Sequence, residues 1–344
     1  MSTLIGELLK RQRNSPVVST VFILLGLSLF FSLVTDRFLT WDNLQNVTRA
    51  ASPVIIVGTA VTLVMIGRGL DLSVGSVVAA CSVIAAFAAA DGINLAFAYL
   101  AALALGGAFG ALNGLLVVGF KVSPIIATLG TLNIARGMAY LITPSAILVG
   151  LPAGWSDVGT SSVVGVPVPF AIAIVSALIF GWLLGRTVFG RHVYAIGGNE
   201  EAARLAGVNV NRTLFLLYLM SGLMAGVGAI VLSSRLGTGD PNIGIGFEFE
   251  VIVAVILGGT SLAGGEGRIF GTVVGALIVG ILSNGLNLIG VEPFWQYIAM
   301  GSALIVAVVL DRAAGSARDR AAVRFVPSIT PTVAQNAEKV GRKK

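Results

Sequence analysis

Charge is what this 344-residue chain has least of: 11% of its residues are Asp, Glu, Lys or Arg, where a soluble domain carries about 25%. So few charges cannot cover a water-facing surface, which excludes a soluble globular enzyme. With 56% hydrophobic residues, a disordered chain is excluded too. Cysteine and histidine occur once each, as Cys81 and His192. A single cysteine forms no intrachain disulfide, and one of each assembles no Cys/His metal cluster. Cys81 lies inside an apolar run and reads as a small buried hydrophobe. No lysine directly follows a glycine, so there is no phosphate-cradling P-loop. There is no GxSxG nucleophile elbow, and no dense run of carboxylates in apolar sequence that would make a proton relay.

Long apolar runs are what the chain does have. They fall near 17–35, 53–66, 74–90, 95–119, 124–142, 166–185, 213–232, 248–262, 269–287 and 294–311. About 20 residues suffice to cross a hydrocarbon core of ~30 Å, and only 53–66 and 248–262 are short for this. Glycine supplies 44 residues, and small residues let lipid-embedded helices approach closely. A transmembrane β-barrel would alternate in segments of about 10 residues, a pattern this sequence lacks. The expected fold is an all-α polytopic membrane protein with about ten transmembrane helices. It comprises a cytoplasmic N-terminal segment 1–16, a transmembrane domain 17–311, and a basic tail 312–344 without fixed structure. The first run follows Lys10, Arg11 and Arg13 like a signal peptide. It lacks a small-residue cleavage site and more spans follow, so it reads as a retained helix.

Ten spans with both termini cytoplasmic put 18 basic residues inside and three outside, Arg37, Arg49 and Arg235, with Arg136 inside the fifth span. That is a strong positive-inside bias. The tail from Arg312 to Lys344 holds eight basic and two acidic residues, which accounts for the whole net charge of +6. A basic tail beside a bilayer meets anionic lipid, and nucleic acid is not an expected partner. The external loop 143–165 either packs over the outer mouth or is a connector. Asn-Gly-Leu at 113–115 precedes Val-Ser-Pro at 122–124, and Asn-Gly-Leu at 284–286 precedes Val-Glu-Pro at 291–293. Five spans separate these echoes, so an inverted repeat is an expectation.

The longest polar stretch between spans is 186–212. Asn199 is placed to cap a short helix, with Glu200 and Glu201 in its first turn. Ala202, Ala203, Arg204, Leu205 and Ala206 continue it, and Gly207 stops it. So short a helix is unstable alone in water, which points to a partner protein holding it; a solvated loop with a helical turn is the simpler alternative. Here the chain resembles the permease subunits of ribose-type ABC sugar importers, from about Pro16 to Asp311. Their signature of the form GRxxYAIGGNxxAARLxG stands here as Gly190 to Gly207. GRGLDLSVGS at 67–76 is similar to the family's GGIDLSVGS, with Arg68 where Gly is frequent. The stretch 246–276 resembles a third family element, with Phe247 for Tyr and Glu250 for Asp.

The resemblance implies a coupling helix on which Asn199, Glu200, Glu201, Ala202, Arg204 and Gly207 meet an ATP-hydrolysing subunit. It implies that this chain is no enzyme and binds no cofactor, ATP being used by the partner. Further implied partners are a periplasmic sugar-binding protein and a second permease, in a homo- or heterodimer, in the bacterial inner membrane. A permease for branched-chain amino acids or nucleosides is the related alternative. A stand-alone ion-coupled secondary transporter is the alternative of another class, with Gly-rich breaks at 67–75 and 258–267 as its only candidate sites.

Read on their own, Asp71 and Ser73 lie at a Gly-flanked helix break. They cap the following helix, touch substrate, or belong to an ordinary interfacial loop. Glu248 and Glu250 sit in the first turn of the eighth span, where negative charge is favoured. Asn113, Asn133, Asn284 and Arg136 are polar groups inside apolar spans and either set packing or line a path. Gly106, Gly110 and Gly114, Gly222 with Gly226, and Gly271 with Gly275 read as surfaces for close helix contact, including a dimer seam.

Overall fold

In hydrocarbon every backbone N–H and C=O must be satisfied within the protein, so apolar runs fold as helices. The structure, a computed structural model, describes residues 16–143, 147–292, 294–306 and 308–309. The N-terminal segment and the basic tail lie outside these residues, apart from residue 16. The helices are α1 (Pro16–Val34), α2 (Trp41–Ile66), α3 (Val74–Ala90), α4 (Leu95–Val118), α5 (Pro124–Ile142) and the single turn α6 (Asp157–Thr160). They continue with α7 (Val168–Arg186), α8 (Val188–Gly198), α9 (Glu200–Leu205), α10 (Val210–Leu236), α11 (Phe247–Leu257), α12 (Ile269–Leu288) and α13 (Phe294–Val306). Six of them, α2, α4, α5, α7, α10 and α12, are long and apolar enough to cross a membrane. Each of the ten expected runs carries a helix, but α1, α3 and α13 are shorter by the same measure, and α11 has only 11 residues. The architecture is all-helical as expected, with one small antiparallel hairpin of β1 (Ser162–Val163) and β2 (Val166–Pro167) before α7.

The core is built around α2. From Ala51 to Ile66 it is buried on every side, packed against α7, α10, α11 and α12. α3 is almost as deeply enclosed. By contrast, α1, α5, α7 and α13 turn large apolar side chains outward, among them Phe22, Leu33, Leu141, Leu178 and Phe294. Lipid tails are as apolar as these side chains, so such a surface suits a bilayer.

Glycine sets how closely the helices pack. On α4, a Cβ at Gly106 would meet the Gly222 carbonyl, one at Gly110 the Tyr218 carbonyl, and one at Gly114 the Phe215 ring and backbone. On α12, Gly271 faces Gly258 and Gly275 faces Ala254. All three small-residue surfaces are therefore used inside the chain. This corrects the expectation of a dimer seam there.

Two long helices end in irregular segments that lead into shorter helices. α2 gives way to 67–73 and then α3; α10 gives way to 237–246 and then α11. The starts of α3 and α11 touch: a Cβ at Gly75 would collide with the Gly244 carbonyl and the Glu248 carboxylate. Irregular backbone is tolerated within a membrane only where protein groups or a cavity satisfy it, so these two segments direct attention to the site.

The loop 147–161 is docked. Buried Trp155 donates from its indole N–H to the Ser233 carbonyl at 3.2 Å. Ser234 Oγ donates to the Trp155 carbonyl and accepts from the Gly159 N–H at 2.8 Å. The loop is thereby fastened to the end of α10.

Candidate functional site

Asp71 is the centre of a buried polar network in the first break. It is 1% exposed. Its Oδ1 accepts from the Ser73 N–H at 3.0 Å and the Ser73 hydroxyl at 2.6 Å. Its Oδ2 accepts from the Ser221 hydroxyl of α10 at 2.7 Å. Asn113 on α4 donates to Ser73 Oγ at 2.9 Å and accepts from Thr131 on α5 at 2.7 Å. Four elements are thereby joined, and the carboxylate is satisfied by hydrogen bonds alone. Asp71 takes the N–H of Ser73, the residue before α3, while no side-chain cap hydrogen bond is made to α3 itself. Ser221 and Thr131 were not singled out from the sequence. A polar residue beside a glycine in an apolar run was the only signal for Ser221.

The second break is held by Arg136 of α5, whose guanidinium donates to the Pro241 and Ile243 carbonyls. Tyr140 donates to Asn242 Oδ1 at 2.9 Å. Arg136 thus sets packing, as one of its two readings had it. Asn133 is exposed and donates to the Leu129 carbonyl of its own helix at 2.9 Å. It joins none of the buried groups.

Asn284 opens onto a different feature. Between α2, α10, α11 and α12 lies a cavity of about 310 Å³, whose polar lining is Asn46, Arg235, Glu250, Ser283, Asn284 and Asn287. This is at the small end of the ~300–1,000 Å³ typical of ligand sites. Asn284 donates to Asn43 Oδ1 at 2.9 Å, while its own buried Oδ1 has no partner among the described residues. Amides, a carboxylate and a guanidinium around one small space offer both donors and acceptors, a set that suits a polyhydroxylated solute.

The segment 186–212 folds as two helices. The first, α8, is amphipathic: Gly190, Val193, Ile196 and Gly197 form its buried face. It was expected as loop, although its spacing of apolar residues was legible. The second, α9, is the short helix expected at 199–206. Asn199 Oδ1 accepts from the Ala202 N–H at 3.0 Å, and Arg204 bonds Glu200 at 2.8 Å. Gly207 has φ +85°, the left-handed turn that favours glycine after a helix. Ala203 is buried with Ile196 and Val210, whereas Glu200, Glu201 and Arg204 face outward. Leu205 is 85% exposed, an apolar side chain that no other described residue covers.

Three segments meet just behind α9. The Gly265 N–H donates to the Ile66 carbonyl at 2.8 Å, and the Tyr194 hydroxyl donates to the Gly267 carbonyl at 2.7 Å. Burial raises the Tyr194 phenol above its ordinary range, which keeps that donor protonated. Gly197 packs where a Cβ would run into the Ile66 carbonyl and the backbone of Gly265. Gly197→Ala is accordingly expected to force α8 and the 258–268 segment apart. Transport should be lost while the bundle still assembles, as read by uptake beside gel filtration. Wild-type uptake in that variant would show that the contact is dispensable.

Among known proteins, the family described as branched-chain amino acid transport system / permease component matches residues 43–309. The ribose import permease protein RbsC of Escherichia coli K12 is 40% identical over 298 residues, 85% of this chain and 92% of that protein. The D-allose transport system permease protein AlsC of the same strain is 37% identical over 295 residues, 85% and 90%. The L-arabinose transport system permease protein AraH, again from that strain, is 37% identical over 285 residues, 82% and 86%. No solved structure matches. A match over most of the chain, with relatives at this identity along nearly their whole length, means that the chain belongs to this family of transport-system permease components.

Proposed function

We propose that the chain is the membrane-spanning permease subunit of an ATP-driven importer and passes a monosaccharide that a periplasmic binding protein delivers. The observation that carries this is α9: a capped helix with an outward Leu205 and Glu200–Arg204 pair, packed on α8 and α10, with α8 in turn seated against the end of α2 and the 258–268 segment. Such a helix has too few residues to be stable alone, and its outward face suits the groove of a P-loop ATPase. On this reading Asn199, Glu200, Glu201, Ala202, Arg204 and Gly207 form the coupling element, and ATP is bound and hydrolysed on the partner. The relatives named for ribose, D-allose and L-arabinose favour a sugar over a branched-chain amino acid. The polar cavity beside Asn284 supplies the hydrogen-bonding groups that a sugar needs.

The membrane arrangement follows from the charge distribution. Ten helices, with both termini and 186–212 cytoplasmic, satisfy the positive-inside rule. The two break-and-short-helix units then relate as an inverted repeat, in the bacterial inner membrane. A second copy or a related permease completes the pathway.

Replacing Glu200 and Arg204 together by Ala tests the coupling assignment. ATP hydrolysis by the reconstituted complex should lose its response to the binding protein. Uptake should fall by roughly tenfold or more, within the span of typical coupling energies. Normal stimulated hydrolysis with normal uptake would sink the assignment.

A further inference from the structure

Arg68 has no part in the account so far, yet its conformation is unusual. Its φ is +64°, a left-handed backbone in which a bulky residue is strained and glycine is not. The residue at that point is nevertheless one with a long side chain, and the side chain is used. Its Nε donates to the Ala263 carbonyl at 3.0 Å, and its Nη2 donates to the Gly198 carbonyl at 3.1 Å. Ala263 belongs to the segment between α11 and α12. Gly198 is the last residue of α8, directly before the Asn199 that caps α9. Its carbonyl is among the helix-end acceptors left without an intrahelical donor, where a cation is also favoured. One planar guanidinium, with donors in a fixed fork, therefore ties three backbones. They are the segment after α2 at the Asp71 break, the segment between α11 and α12, and the last residue of α8, which leads into α9.

We infer that Arg68 is a positioning residue for coupling: its guanidinium transmits movement of α9 to the Asp71 break and to the segment between α11 and α12. This rests on the coupling role proposed for α9. The alternative, that Arg68 only stabilises the fold, makes the opposite prediction. Arg68 is exposed, so its hydrogen bonds add little stability. Its left-handed backbone is relieved by glycine. Arg68→Gly should therefore fold at least as well as wild type while losing the connection. A lysine presents a single ammonium in place of the fork, so Arg68→Lys should restore the link only in part.

The experiment uses the full chain in lipid nanodiscs, alone and with its ATPase and binding protein. In the complex, Arg68→Gly should keep the ATPase bound and its basal hydrolysis unchanged. The ratio of stimulated to basal hydrolysis should fall about fivefold or more, with Arg68→Lys between the two. In the chain alone, amide exchange should rise together at residues 198–200 and 262–264 in Arg68→Gly, with the melting temperature unchanged or raised. A wild-type stimulation ratio in Arg68→Gly would overturn the inference. So would a lowered melting temperature with the ratio intact, or exchange unchanged at both segments. If the wild-type complex does not respond to a binding protein, the importer reading fails. The exchange measurement then still decides whether Arg68 links these segments.

Discussion

Asp71→Ala is expected to give little folded protein and no uptake. The substitution removes an acceptor from the Ser73 N–H, the Ser73 hydroxyl and the Ser221 hydroxyl at a site sealed from water. A buried polar group left unsatisfied costs about 1–3 kcal/mol. Three together are a large fraction of a stability of about 5–15 kcal/mol. Asp71→Asn separates structure from chemistry. The amide oxygen still accepts from Ser73, and a rotated Ser221 hydroxyl accepts from the amide N–H, so most of the network survives. If Asp71 only holds the network together, Asp71→Asn keeps most of the thermal stability and substantial uptake. Should it prove as stable as wild type yet as inactive as Asp71→Ala, the charge itself serves transport and the purely structural account is wrong.

Gly222→Val is expected to prevent assembly of the bundle. A Cβ on Gly222 would overlap the Gly106 carbonyl and lie 2.6 Å from the Gly110 nitrogen and 2.7 Å from its Cα. These are backbone atoms of a regular helix and have no rotamer to escape into. α4 and α10 would have to separate, which loosens the Asp71 network because Ser221 is the adjacent residue. Overpacking typically costs about 1–3 kcal/mol and sometimes more; a backbone-on-backbone clash belongs at the upper end. Gly26→Val on α1 is the control, since no atom of the described residues lies within 4 Å of a Cβ there. Detergent melting curves should show loss of the transition for Gly222→Val and a normal one for Gly26→Val. Equal melting of the two would remove the α4–α10 seam from the account.

What was legible in the sequence followed from periodicity and local chemistry. Hydropathy located the helices, and local capping rules located α9, where Asn199, Glu200 and Gly207 declare the start and the stop within nine residues. Hydropathy failed at polar ends. α2 starts at Trp41 rather than near residue 53, because its first turns carry Asn43, Asn46, Thr48 and Arg49. Asn43 bonds the Phe38 carbonyl, and Arg49 bonds Thr160 and Ser162 across the loop. It failed again at 258–262, where the run is drawn on to Leu262 but Gly258 ends α11. The glycine surfaces were read correctly as contacts, while their partners could not be read. Nothing at Gly106 says that its neighbour is Gly222 of the same chain rather than a second copy.

The site was legible in proportion to how local it is. Asp71 and Ser73 are two residues apart and their bond was foreseeable; Ser221 is 150 residues further on. The cavity beside Asn284 gathers Asn46, Arg235, Glu250 and Asn287 from four helices, which no spacing rule reports. Arg68 stood out only as a departure from a familiar motif. Its two carbonyl partners belong to segments 130 and 195 residues away.

The central claim is that this permease is driven by a separate ATPase through 186–212. It is tested most directly by gentle affinity purification of the tagged chain from its own host's membranes, followed by identification of what accompanies it. The account predicts a stoichiometric partner with P-loops, whose hydrolysis responds to a sugar-loaded binding protein and loses that response in the Glu200→Ala, Arg204→Ala variant. A chain that purifies without any ATPase and still transports its solute when reconstituted would contradict it.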